Sequence, residues 1–84
     1  MNQTVIHPYS TMSGDDAFKA FGFGAIVEVL SHTSADDGRM TIPAGSRGIL
    51  LGVDSDESMV EIEFAKGIGK NSIEVGHSGL RKIT

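Results

Sequence analysis

Met59-Val60-Glu61-Ile62-Glu63-Phe64 alternates apolar and acidic side chains with a period of two, the mark of a strand that buries one face and wets the other. Ahead of it runs Gly48-Ile49-Leu50-Leu51-Gly52-Val53, apolar and extended, with Gly52 marking a bulge or a close backbone approach. Asp54-Ser55-Asp56-Glu57-Ser58 between them is polar throughout and reads as the turn joining the two strands. Upstream of this hairpin, Ala25, Val27 and Val29 alternate with Ile26, Glu28 and Leu30 in an earlier, mostly buried strand. Downstream, Lys66-Gly67-Ile68-Gly69-Lys70 turns the chain again, residues 71–75 form a fourth strand, residues 76–79 a tight turn and residues 80–83 a fifth strand. Residues 31–46, rich in Ser, Asp and Gly and carrying Pro43, read as a long loop with a short extended piece at residues 40–42. Five short strands in about 60 residues predict an all-β fold, a small five-stranded antiparallel barrel over residues 24–84.

Residues 1–23 differ in kind. Asn, Gln, Ser, Thr and Pro8 dominate up to Ser13, and the apolar residues there show no alternation, so the segment reads as an N-terminal arm, flexible or folded into one helical turn. Ser13 is placed to cap a helix over residues 15–21, with Asp15 and Asp16 in its first turn and Gly22 and Gly24 to end it. Phe18 and Phe21, three apart, share a face. A helix that short is unstable alone, so its phenylalanines must pack on the domain or on a partner.

The 84 residues leave room for one domain, and a body of that size buries only about 60% of its unfolded-chain surface. The absence of cysteine excludes disulfides and thiolate zinc sites, which leaves oligomerisation or a very well packed sheet as the remedy. The net charge of -4 argues against a general phosphate-backbone binder. It divides into -7 over residues 1–63 and +3 over residues 64–84, a polarity that favours contact between copies. The longest apolar stretch is far below the roughly 20 residues a membrane span needs, and the amino terminus lacks a secretory pattern, so a cytoplasmic location is expected.

The order of elements, with Ile42-Pro43-Ala44-Gly45-Ser46-Arg47-Gly48-Ile49-Leu50, then Val53-Asp54, Val60-Glu61-Ile62-Glu63-Phe64 and Gly76-His77-Ser78-Gly79-Leu80-Arg81-Lys82-Ile83, resembles the SH3-like barrels of small bacterial and phage-borne domains. Such barrels host translation factors, enzyme subunits and peptide binders, so the resemblance implies a fold and leaves function open. The layout is also similar to the plasmid-borne type II dihydrofolate reductases, tetramers of short SH3-like chains, including Phe21-Gly22-Phe23-Gly24 before the first strand. That family's pore is lined by a Val-Gln-Ile-Tyr motif, where this chain has Ser72-Ile73-Glu74-Val75, so the activity is not carried over. Without tryptophan, and with its single tyrosine, Tyr9, in the arm, the chain also lacks the aromatic pattern that reads Pro-rich peptides.

Other chemistries fail on spacing. Gly67-Ile68-Gly69-Lys70-Asn71-Ser72 has no glycine five before Gly69 and no Ser or Thr after Lys70, so it reads as a hairpin turn rather than a phosphate cradle. Asp54-Ser55-Asp56-Glu57 lacks the third ligand and the glycine of a calcium loop. His7, His32 and His77 share no metal-ligand spacing, and His77 reads as a cap of the last turn. Ser10, Ser13 and Ser31 have no nucleophile elbow.

Glu61, Glu63 and Glu74 are expected on one wet sheet face near Lys66, Lys70, Arg81 and Lys82. Ile26, Leu30, Met40, Ile68 and Ile73 exceed what one small barrel buries. The expectation is therefore a non-enzymatic protein-binding or assembly module, without catalytic residues, cofactor or metal. It would act on a protein partner or on itself through Phe18, Phe21, Phe23, Lys70, Ile73 and Arg81. The alternatives are a small oligomeric enzyme with its site at a subunit pore, or nucleic-acid contact through the basic C-terminal strands.

Overall fold

A computed structural model describes residues 5–35, 38–54 and 58–84. The strand-forming stretches become β1 (Val5–Ile6), β2 (Ile26–Val29), β3 (Thr33–Ala35), β4 (Met40–Ile42), β5 (Arg47–Val53), β6 (Met59–Phe64), β7 (Gly69–Glu74) and β8 (Leu80–Lys82). Two helices interrupt them, α1 (Gly14–Phe21) and the single turn α2 (Val75–Ser78). Six strands form one antiparallel sheet in the order β1-β8-β2-β5-β6-β7, and β3 pairs with β4 in a separate two-stranded sheet.

The all-β expectation holds, with corrections to strand number and closure. Among the described residues there are eight strands rather than five, because residues 31–46 supply two of them and Val5–Ile6 adds another beside β8. The barrel is not closed: the six-stranded sheet ends at β1 and β7, and the β3–β4 hairpin packs on β7 without joining its ladder. The register of β5 on β6 shifts between Leu50 and Gly52, the irregularity expected at that glycine.

The alternation read from the sequence sets the core. Val27, Val29, Leu50, Val60, Ile62, Phe64, Ile73 and Leu80 point into one apolar cluster with Ile42 and Val75, each side chain worth about 1.5–3 kcal/mol when fully buried. Gly48 stands in this layer between Val27 and Phe64. A Cβ there would lie 2.5 Å from the Glu63 carbonyl oxygen and 2.6 Å from Ile62 Cγ2, so only glycine lets β5 and β6 close on each other.

The N-terminal segment is attached to this body along its length. Val5 and Ile6 pair with Arg81 and Leu80, burying Ile6. Pro8 lies against Gly79, which has a φ of 71° and no space for a Cβ beside the Pro8 ring. Helix α1 packs on β5 and β6, burying Ala17 and Phe21. Its ends are those the sequence announces. The Ser13 hydroxyl accepts from the Asp16 amide at 3.1 Å, and the Gly22 amide donates to the Phe18 carbonyl at 2.8 Å. Eight residues make it two turns long rather than one. An ion pair of 3.0 Å joins Asp15 to Lys19 one turn on, which raises the lysine's pKa above its ordinary value.

A candidate interaction face on the central strands

Residues that alternate with the core side chains share the outer side of the sheet, and the register shows which of them are neighbours. Ile26 of β2 stands opposite Ile49 of β5, Ile49 opposite Glu63 of β6, and Glu63 opposite Lys70 of β7. One step along the strands, Arg81 of β8 stands opposite Glu28 of β2, and Glu28 opposite Arg47 of β5. A row containing two isoleucines thus runs beside a row of alternating charge.

Glu28 organises the charged row. One carboxylate oxygen accepts from Arg47 Nε at 3.2 Å, and the other takes a short contact from Arg81 Nη2. The two strands flanking β2 hold these arginines on either side, and the Glu28 side chain is left 15% exposed. Its pKa falls below the usual 4.5, chiefly through the Arg81 hydrogen bond and next through that of Arg47, against a smaller opposing effect of burial. Arg81 Nε is buried and has no hydrogen-bond partner among the described residues. Among the described residues no ion pair reaches Glu61 or Glu63, which stand together on the outer side of β6.

Beside the charged row lies an open groove of about 950 Å³ lined by Glu28, Pro43, Ala44, Arg47, Lys66 and Ile68 among others. A shallower depression along β5, of about 310 Å³, is lined by Ile26, Ile49 and Glu63.

The residues expected to make contacts divide sharply. Lys70 and Arg81 lie on the outer face, and Phe23, just before β2, is 76% exposed. Phe21 and Ile73 do not belong with them: Phe21 is buried beneath α1, and Ile73 is fully buried opposite Val60. Phe18 is half-buried against the same core. Of the surplus aliphatics, Met40 and Ile68 pack on the core, Leu30 is half-buried, and only Ile26 stays exposed. Glu61, Glu63 and Glu74 do share one face with Lys70.

Reading the sequence alone misses Ile49, Arg47 and the role of Glu28. The available signal is phase: Ile26 and Glu28 are two apart on one strand, Ile49 and Arg47 two apart on its neighbour, all out of step with the buried residues.

The other motifs resolve into structural roles. Residues 65–68 form the β6–β7 hairpin turn, with positive φ at Lys66, Gly67 and Gly69. The acidic turn places Asp54 against Met59 through a backbone bond of 3.1 Å, and Ser55, Asp56 and Glu57 lie outside the described residues. His32 Nδ1 accepts from the Ala44 amide at 3.2 Å, and the His77 ring sits edge-on to Tyr9 at 6.3 Å. Ser13 caps α1, Ser10 Oγ accepts from the Met12 amide at 3.1 Å, and Ser31 Oγ donates to the Ser78 carbonyl at 2.8 Å. Among the described residues no three His, Asp or Glu side chains gather as a metal site, and no helix is long and apolar enough to cross a membrane.

The chain matches no family model, no curated protein and no solved structure.

Proposed function

We propose that this chain is a non-enzymatic, cytoplasmic binding module of SH3-like layout that engages protein through the outer face of β2 and β5. The observation that carries the reading is the cross-strand pair Ile26 and Ile49, exposed by 37% and 43% in the middle of the sheet. Aliphatic side chains gain nothing from facing water there, and covering them would release about 25 cal/mol for each Å² removed from solvent. The charges beside them are already ordered. Arg47 and Arg81 are held by Glu28, so a partner binding against them loses less side-chain entropy than it would by fixing free arginines. An apolar centre with an ordered polar rim is how protein interfaces are composed.

A photo-reactive amino acid placed at Ile49, with a second chain carrying it at exposed Ser34 on the separate hairpin, tests the reading in the cells that make this protein. Protein adducts from position 49 and none from position 34 are expected. No adduct from position 49 overturns the proposal.

A further inference from the structure

The composition of the face also indicates what covers it. Its outward charges are Arg47, Lys70 and Arg81 against Glu28, Glu61, Glu63 and Glu74, three positive and four negative, on a chain whose net charge is -4. The face is therefore close to balanced, with one negative charge in excess, while the molecule as a whole is acidic. A strongly basic or acidic partner would find only a weak field on it. A second copy of this chain, repelled by the rest of the acidic molecule, meets least resistance here.

The arrangement is also complementary to itself. The exposed isoleucines lie between a row that ends in Arg47 and a column that carries Glu61 and Glu63. Arg47 uses Nε on Glu28, and no bond engages its terminal nitrogens among the described residues, while Glu61 and Glu63 have no ion-pair partner there. A two-fold axis near Ile49 presents the arginine side of each copy to the glutamate side of the other. Every such contact then occurs twice, as an isologous dimer requires.

We infer that the outer β2–β5 face is a homodimer interface, with Ile26 and Ile49 at its centre and Arg47 of each copy reaching Glu63 of the other. The inference rests on the reading of this face as a protein-binding surface and names its occupant.

Analytical ultracentrifugation of the full chain tests it. A dimer is expected, and Ile49→Arg should weaken it by tenfold or more, about what burying one uncompensated charge in an interface core costs. Arg47→Glu and Glu63→Arg should each weaken self-association about tenfold, since each sets like charges against one another twice. Mixed in equal amounts, these two variants should form a heterodimer of near wild-type affinity, because each opposing pair is again of opposite sign. Circular dichroism confirms that each variant folds, and Ile49→Arg still tests the interface if Arg47→Glu, set beside Glu28, does not.

A chain that stays monomeric at about 1 mM overturns the homodimer. Adducts from position 49 to a different protein would then leave the broader binding reading standing, whereas no adducts would remove both. A dimer indifferent to Ile49→Arg would place the contact on another surface and overturn the homodimer assigned to this face.

Discussion

The inner and outer sides of strands β2, β5 and β6 are made by alternate residues of the same short segments, yet they obey different constraints. Inside, Val27, Leu50, Val60 and Ile62 are completely covered, and Gly48 is present because not even a methyl group fits. Outside, Ile26 and Ile49 stand beside a carboxylate clamped by two arginines and stay exposed among the described residues. Stability is thus concentrated on one side of the sheet. The other side is less constrained by packing, so exposed apolar residues there are informative.

The sharpest way to break this contrast is to disturb the inner side. Ile62→Ala removes a fully buried side chain and should cost about 2–5 kcal/mol in urea denaturation. Gly48→Ala adds a single carbon and should still cost about 1–3 kcal/mol, because Glu63 backbone and Ile62 must shift to admit it. A neutral result at Gly48 would show that the two strands are less tightly apposed than their geometry indicates.

Glu28 tests the boundary between the two sides. Glu28→Gln should cost about 1 kcal/mol near neutral pH, since it leaves Arg81 and Arg47 facing each other without the anion that holds them. The sign of the pH dependence follows from the lowered carboxyl pKa. The stabilisation is fully present above the usual value of 4.5 and fades as the pH drops through the lower value of the folded protein. Acid titration of stability should therefore be shallower in Glu28→Gln than in wild type. Identical acid limbs would mean that the cluster contributes nothing.

The smallest expected effect lies fully outside. Ile49→Ser should change the stability of the monomer by less than about 0.5 kcal/mol while weakening self-association, and a large loss of folding stability would show that Ile49 serves the fold.

The period-two strands were legible because one buried face imposes alternation, and residues 59–64 carry it without interruption. Helix α1 was legible from Ser13 and Gly22, whose capping chemistry is local. Strand β3 was not. Of Thr33-Ser34-Ala35 only Thr33 favours a strand, a run too short to show alternation, and its burial pattern comes from pairing with β4 and packing on β7. Strand β1 is two residues long and exists only where β8 offers an edge. The composition of the face was hidden for a related reason. Counting aliphatic residues says how many exceed the core, whereas assigning Ile73 inward and Ile49 outward requires the register across three strands. The Arg81–Glu28–Arg47 cluster needs the order β8-β2-β5, which brings together residues from both ends of the chain.

That order has a kinetic consequence. Val5 and Ile6 dock on residues about 75 positions later, so β1 closes the longest loop in the sheet with only two paired residues to offset its entropy. The β5–β6 hairpin can form early from local contacts, whereas the first strand in sequence should be among the last to find its place. During synthesis it must wait for β8, and until it docks, the edge of β8 and the pocket for Ile6 stay open to the surrounding solution.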